Sequence, residues 1–194
     1  MDDPFFAYLD RLKLIRRWGL MRNTKSENDM EHSMQTALIA HGLAVLAKRR
    51  HQRDVNPERV VMLALYHDSG EVITGDLPTP VKYKNPLIQD AYRGLEAQAR
   101  QQLLDMLPTD MQADFQPYVL PDETSDEWLL VKAADRISAY MKCLEEEKMG
   151  NRDFAQAKTT IQASLAQSSL PEVQEFMSQF VPSFSLSPDD LSRL

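Results

Sequence analysis

Apolar residues recur at helical spacing along almost the whole chain, and no convincing strand hairpin interrupts them. Near the start, Pro4 fits the first turn of a helix that carries a single apolar stripe. This helix is predicted to end near Trp18, because Gly19 follows and breaks the pattern. Residues 21–25 are then predicted to form a loop.

The next two predicted helices are longer and more apolar. One is predicted to begin at Asn28 or Asp29 and to end near Lys48. The other begins after Asn56, a cap residue followed by a proline in the first turn, and is predicted to reach Ile73. Because its middle is nearly all apolar, this central helix is predicted to be buried.

The second half of the chain continues the helical pattern with proline-rich interruptions. Residues 74–80 contain two prolines two positions apart and are predicted to form a stiff, extended loop. A proline-punctuated stretch over 108–121 is predicted to separate two long helices. The predicted helices of this half cover residues 86–107, 125–149, 152–167, 171–180 and 188–192. The chain is therefore predicted to be all-α, as a single domain over residues 1–194.

The composition excludes several classes of function. The chain has 194 residues, a net charge of −7, 43% hydrophobic and 26% charged residues, which is ordinary for a globular protein. This acidic balance argues against a nucleic-acid polymer or an anionic membrane as partner. Cys143 is the only cysteine, so no internal disulfide is possible, and we interpret it as a small core residue. We find no signal peptide and no apolar stretch of about 20 residues, and we expect a cytoplasmic protein.

The charge is unevenly distributed along the chain. Six basic residues and no acidic residue lie between Arg11 and Lys25. This stretch is suited to a small anionic ligand, although a solvated helix face would show the same pattern.

The residues best suited to chemistry are His67, Asp68 and Glu71, near the end of the predicted central helix. Burying them together is expensive for every uncompensated charge, and a divalent cation is the simplest compensation. His32 lies upstream and Asp135 downstream, each on another predicted long helix. Two histidines and two aspartates provide four ligands for one ion, so we predict a metal centre of His32, His67, Asp68 and Asp135.

The order of these four residues resembles the H…HD…D signature of the HD-domain metal-dependent phosphohydrolases. The block Gly-Asp-Leu-Pro-Thr-Pro over 75–80 is far more specific, and through it the chain resembles the bacterial 5′-deoxynucleotidases of that superfamily. Short matching stretches at 16–18, 31–33 and 182–184 extend the resemblance over most of the chain.

The resemblance implies a helical bundle of the HD-domain phosphohydrolase type, with a metal and catalytic core over about 28–149 and the helices of 152–194 packed on it. It implies a 5′-deoxynucleotidase that converts deoxyribonucleoside 5′-monophosphates to deoxynucleosides and phosphate, selects against ribonucleotides and is broad for the base. The divalent ion implied is cobalt, manganese or copper. A homodimer is also implied, and the long amphipathic helices over 86–107 and 125–149 agree with it.

The predicted reaction is attack on phosphorus by a water that the ion holds, with Glu71 as the base that deprotonates it. Resemblance to the family implies that Arg17 holds the phosphoryl oxygens through its planar guanidinium. Trp18 and the 75–80 loop are expected to hold the sugar. The resemblance gives Asp76 a hydrogen bond to the 3′-hydroxyl, next to a wall that leaves no room for a 2′-hydroxyl.

The predicted catalytic residues are therefore Glu71 and Arg17, and the predicted substrate contacts are Arg17, Trp18, Asp68, Asp76, Leu77, Pro78, Thr79 and Asp135. Two other functions remain open from the sequence. One is an HD phosphohydrolase that acts on a deoxynucleoside triphosphate, a cyclic dinucleotide or an alarmone. The other is a non-catalytic helical dimer module with a structural metal. Arg16 and Lys132 receive no role.

Overall fold

A computed structural model describes residues 3–82 and 84–193 of the chain. These residues form helices joined by turns, with no β-strand among them, so the prediction of an all-α protein is confirmed. The helices are α1 (Phe5–Leu9), α2 (Asp29–Arg50), α3 (Pro57–Tyr66), α4 (Glu71–Thr74), α5 (Thr79–Lys82), α6 (Pro86–Leu104), α7 (Thr109–Val119), α8 (Asp126–Lys148), α9 (Ala155–Ala166), α10 (Pro171–Gln179) and α11 (Pro188–Leu191). Two short 3₁₀ segments, Asp10–Leu14 and Val181–Ser185, complete the set. None of the helices in this part of the chain is long and apolar enough to cross a membrane.

Helices α2, α3 and α8 pack against one another around the main hydrophobic core. Helix α2 begins as predicted, because the side chain of Asn28 accepts from the backbone N–H of Glu31 and Glu31 reaches back to the backbone of Asn28. Along its buried face α2 places small side chains at helical spacing, which lets the neighbouring helices approach closely. These buried residues are Ala37, Ala40, Ala44 and Ala47. The C-terminal helices α9 and α10 pack on α8 and α2, respectively.

A second, smaller apolar cluster joins α1 to α6 and α7. Phe5 is fully buried there against Leu103 and Val119. This cluster fixes the N-terminal helix to the rest of the molecule, and the chain leaving α1 is thereby directed toward the start of α2.

The first predicted helix is shorter than expected. It ends at Leu9, continues as 3₁₀ to Leu14, and does not reach Trp18. The reason is a competing set of backbone hydrogen bonds: the N–H of Asp29 donates to the carbonyl of Ile15 at 3.1 Å, and that of Arg17 donates to the carbonyl of Glu27 at 3.1 Å. This antiparallel pairing lays residues 15–17 along the chain that enters α2.

The loop over 21–25 is present as predicted, and α8 anchors it through Glu146. The carboxylate of Glu146, which is 1% exposed, accepts from the hydroxyl of Thr24 at 2.7 Å and from the amide of Asn151 at 2.7 Å. Lys142, also buried, pairs with Glu146 and donates to the carbonyl of Lys25 at 2.6 Å. A buried ion pair therefore holds the stretch between Arg17 and α2 against α8.

The predicted central helix is broken in the middle of its chemical residues. Helix α3 ends at Tyr66, and the next hydrogen bonds are tight turns from Ser69 to Tyr66 and from Glu71 to Asp68. A continuous helix to Ile73 was therefore wrong, because Ser69 and the glycine after it are weak helix formers and the chain tightens there.

Two further predictions of irregular structure were wrong. Residues 109–119 of the proline-punctuated stretch form helix α7, which contains Pro117 near its end, where few backbone bonds are lost. The predicted loop over 74–80 holds the start of the single turn α5. The remaining predicted helices are present with ends shifted by a few residues, and Cys143 is fully buried as expected.

Candidate metal centre

Three separate parts of the chain bring the predicted ligands together. His32 comes from α2, His67 from the turn after α3 and Asp135 from α8, and their ligand atoms all lie within 4.8 Å of one another. Asp68 joins them, since its Oδ2 lies 3.1 Å from Nε2 of His67 and 3.7 Å from Nε2 of His32. All four predicted ligands therefore share one site.

The imidazole of His67 fits a metal ligand in its hydrogen bonding. Its Nδ1 lies 2.7 Å from the backbone carbonyl of Ala64, which only accepts, so Nδ1 carries the hydrogen. In the neutral imidazole the buried Nε2 then presents a lone pair, and it faces the Oδ2 of Asp68 at 3.1 Å. Two acceptors at this distance need a proton or a cation between them, and the separation suits two ligands of one ion.

The charges of the four residues also suit a dication. Burial lowers the pKa of His32, which keeps its imidazole neutral. Burial would raise the pKa of Asp68, but His67 and Arg17 outweigh it and hold that pKa well below the ordinary value. Asp135 is likewise held ionised, against the effect of burial, by Lys132 and His32. Two neutral nitrogen ligands and two carboxylates are a donor set that borderline divalent metals accept.

Arg17 reaches the same site from the segment that pairs with the start of α2. Its Nη1 lies 3.2 Å from Oδ2 of Asp68 and 3.6 Å from Oδ1 of Asp29, and its Nε lies 3.5 Å from Oε2 of Glu27. Arg16, its neighbour, is exposed. The guanidinium of Arg17 is therefore placed beside the ligands as a fixed positive charge.

Glu71 is buried beside a carboxylic acid that sequence reasoning missed, Asp29. The two side chains are hydrogen-bond partners, which requires a shared proton. Burial raises the pKa of Glu71 to about 11, and the charges of Asp68 and Asp29 add to that effect. Burial also raises the pKa of Asp29, to about 7. Asp29 escaped notice because an acidic residue in the first turn of a helix is ordinary.

Trp18 lies beside Arg17 in a left-handed backbone conformation, with φ at +59°. Its indole packs on Phe154, with ring centroids 5.1 Å apart, and its Nε1 donates to Oε2 of Glu27 at 2.9 Å. Glu27 therefore links the aromatic ring to the guanidinium. The ring is half-buried, so one part of it packs as a core residue would and the rest borders solvent.

The 75–80 loop lies within electrostatic reach of Arg17. Burial raises the pKa of Asp76, while the charge of Arg17 opposes the rise. Gly75 has φ at +72°, which favours glycine, and its carbonyl accepts from the hydroxyl of Tyr92 at 3.3 Å. Leu77 and Pro78 are half-buried, and Thr79 is exposed. Lys132, which received no role, donates to Oδ2 of Asp135 at 3.0 Å.

The chain is similar to curated proteins over nearly its full length. A profile of the family described as 5′-deoxynucleotidase YfbR-like matches residues 4–184. A 5′-deoxynucleotidase of Vibrio vulnificus strain YJ016 is 52% identical over 192 residues, which cover 98% of this chain and 99% of the relative. A 5′-deoxynucleotidase of Yersinia pestis strain Pestoides F is 52% identical over 191 residues, covering 97% and 96%.

Solved structures with the same fold include an HD-domain phosphohydrolase from Listeria innocua, with a TM-score of 0.81, 20% identity, and coverage of 95% of this chain and 89% of that chain. The HD phosphohydrolase DatZ of cyanophage S-2L, solved with dA and one catalytic Zn²⁺ ion, has a TM-score of 0.65 at 24% identity, with coverage of 92% and 95%. These likenesses confirm the predicted fold, the helical bundle of HD-domain phosphohydrolases.

Proposed function

Because this chain belongs to the 5′-deoxynucleotidase YfbR-like family, and is thus a phosphoric monoester hydrolase, we propose that it hydrolyses deoxyribonucleoside 5′-monophosphates to deoxynucleosides and phosphate. The observation that carries the proposal is one cluster of two imidazoles and two carboxylates with an arginine beside it. A cation centre and a guanidinium are what a phosphate ester dianion needs for binding and for charge stabilisation.

The residues that would hold the ion are His32, His67, Asp68 and Asp135. The buried Nε2 of His67, which has no hydrogen-bond partner among the described residues and faces Oδ2 of Asp68, supports this assignment. When bound, a dication would supply a water of lowered pKa and a positive charge that eases ionisation of the nearby carboxyl groups. Cobalt, manganese and copper are the ions we propose first, and the zinc of the cyanophage neighbour adds a fourth to test.

Arg17 positions the phosphate. Its side chain is 14% exposed and contacts carboxylates on more than one side, so its fork is held before substrate binds. A guanidinium that is already ordered loses little entropy when it takes two phosphoryl oxygens. The phosphorus is thereby aligned for attack from the side of the ligands.

Glu71 is the base that takes a proton from the attacking water. It lies one turn beyond Asp68 and is not counted among the ligands, so its carboxylate is available for this task. As a base it must be ionised, whereas burial and neighbouring acids raise its pKa to about 11 in this structure. We therefore expect Glu71 to act only when positive charge enters the site.

The 75–80 loop and Trp18 select the sugar. Asp76 accepts a hydrogen bond from the 3′-hydroxyl. Leu77, Pro78 and Thr79 form the wall that excludes a 2′-hydroxyl. The fixed turn at Gly75, bonded to Tyr92, keeps this wall in place. The base is not read, so all common bases are expected to be accepted.

Phosphate release tests the proposal. The chelator-treated protein, reloaded with Co²⁺, Mn²⁺, Cu²⁺ or Zn²⁺, is incubated with dAMP, dCMP, dGMP, dTMP, AMP and dATP. We expect release from the four deoxynucleoside monophosphates only, with no release without metal. Release from dATP but not from dAMP would favour the triphosphatase alternative. Metal binding without any hydrolysis would favour a structural ion.

Two accompanying predictions concern the assembly and the location. A cytoplasmic location stays a prediction. For the homodimer, the exposed apolar face of α2 is the contact we propose, formed by Met30, Met34, Leu38 and Val45. Light scattering after gel filtration should give twice the 22.2 kDa mass of the chain. The variant Leu38→Glu should be a monomer, with the mass of a single chain. A monomer at all concentrations contradicts the prediction.

A further inference from the structure

A hydroxyl and an amide lie behind His32, on the side away from Asp135. Ser138 is fully buried, and its Oγ lies 3.1 Å from Nδ1 of His32. The same Oγ lies 2.6 Å from Oε1 of Gln35. Ser138 comes from α8, one turn after Asp135, and Gln35 comes from α2, one turn after His32. The two helices that supply ligands therefore also supply this pair.

With the amide oxygen of Gln35 facing Ser138, the hydrogen bonds of this pair have one consistent direction. Ser138 has a single hydroxyl hydrogen, and Oε1 of Gln35 is an acceptor only. The hydrogen of Ser138 therefore goes to Gln35, and a lone pair of its Oγ faces Nδ1 of His32. Only an imidazole with its hydrogen on Nδ1 satisfies that lone pair.

The other tautomer of His32 has an attraction of its own. A hydrogen on Nε2 would be donated to Oδ1 of Asp135, which lies 3.0 Å away. That arrangement would block the nitrogen that faces the other ligands. Without a partner on the Nδ1 side, the carboxylate of Asp135 would favour this blocked form.

The two imidazoles of the site are thus fixed in different ways. His67 donates from Nδ1 to a backbone carbonyl, that of Ala64, which every side-chain substitution leaves in place. The imidazole of His32 contacts side chains instead, with Nδ1 beside Oγ of Ser138 and Nε2 3.4 Å from Oγ1 of Thr36. Its tautomer is consequently open to mutation, whereas that of His67 is not.

We propose that Ser138 and Gln35 are positioning residues that hold His32 with its hydrogen on Nδ1, leaving Nε2 unprotonated for the metal. The proposal rests on the proposed metal centre and deepens it. Residues of this kind orient imidazole ligands, and their loss commonly lowers metal affinity about 10- to 100-fold.

Gln35→Leu is the sharper of two variants. It removes the acceptor of the Ser138 hydrogen, which can then turn and donate to Nδ1 of His32. The blocked tautomer, with its hydrogen on Nε2, would then be stabilised from both sides. Gln35 is half-buried, so the change is compatible with folding, whereas Ser138→Ala acts at a fully buried position.

The first measurement is the ¹⁵N spectrum of the histidine rings in the metal-free protein at pH 8. We expect the hydrogen of His32 on Nδ1 in the wild type and on Nε2 in Gln35→Leu. The matched control is Gln116→Leu, at an exposed glutamine of α7, which should leave the spectrum unchanged. A wild-type His32 with its hydrogen on Nε2 overturns the proposal.

The second measurement is the affinity for Co²⁺ or Zn²⁺ by competition with a chromophoric chelator. Each single variant should bind about 10- to 100-fold more weakly, and the double variant no more weakly than the worse single one, because the two residues act as one unit. Unchanged affinity in both single variants overturns the proposal. Neither readout needs turnover. If dAMP is hydrolysed but Gln35→Leu leaves the His32 tautomer unchanged, only the role of Ser138 and Gln35 is rejected. If the tautomer and the metal affinity change as expected but no nucleotide is hydrolysed, only the proposed function is rejected.

Discussion

Asp29 is a buried acid that the fold tolerates at a cost, and Asp29→Asn measures that cost. Its side chain is fully buried, and apart from the proton shared with Glu71 no donor hydrogen-bonds to either carboxylate oxygen among the described residues. Burial raises the pKa of Asp29 from 3.8 to about 7, despite the opposing effects of its hydrogen bond to Glu71 and the charge of Arg17. Three units correspond to about 4 kcal/mol between the two protonation states.

The sign of the effect follows from proton binding. The folded protein holds the proton of Asp29 more tightly than the unfolded chain does, so stability is greatest below pH 3.8 and is lost as the pH rises to about 7. Asparagine has no such proton, and the variant escapes this loss. Its stability relative to the wild type should therefore rise by about 3 kcal/mol between pH 5 and pH 8.

Urea unfolding at pH 5, 6, 7 and 8, with chelator present to keep metal away, tests this directly. Asp114→Asn, at an exposed position of α7, is the matched control and should show no such trend. If the difference between Asp29→Asn and the wild type is the same at all four pH values, or if the variant is less stable at pH 8, burial of this charge is not the penalty that we infer.

Three other changes have definite expected outcomes. Glu146→Gln should lower stability at pH 7, because hydrogen bonds from Lys142 and Thr24 outweigh burial and lower the pKa of this carboxylate. The difference in urea midpoint between the wild type and the variant should shrink below about pH 4.5, and a difference that is constant with pH contradicts this. Arg17→Lys should lower kcat/KM for dAMP about 10- to 100-fold with metal affinity retained, since an ammonium lacks the planar fork; unchanged kinetics would remove Arg17 from the phosphate. Metal binding should weaken as the pH falls and should release protons, because the Asp68 carboxylate outweighs burial and raises the pKa of His67, whose proton the metal must displace. Calorimetry in buffers of different ionisation enthalpy measures the released protons, and binding without proton release refutes the prediction.

The helices were predictable where residues close in the sequence determine their position and their first residue. Apolar spacing and the Asn28 cap fix α2, and the cap before Pro57 fixes the start of α3. The sequence also indicated that the two histidines and two aspartates form one cluster, because buried histidines and acids near an apolar helix need compensation. These features depend on nearby residues, which a single sequence displays.

The features that were missed depend on contacts between distant segments. The first helix stops before Trp18 because residues 15–17 pair with the chain that enters α2, which no local pattern shows. Tight turns over 67–70 separate α3 from Glu71, so the continuous helical spacing assumed for His67, Asp68 and Glu71 was misleading. Asp29 became part of the site only because these two rearrangements bring Glu71 and Arg17 to it.

Anomalous diffraction from crystals grown with Zn²⁺ or Co²⁺ tests the central claim most directly. The account predicts one ion, about 2.0–2.2 Å from Nε2 of His32, Nε2 of His67 and a carboxylate oxygen each of Asp68 and Asp135. An ion bound elsewhere, or electron density that leaves either imidazole out of its coordination shell, would contradict it.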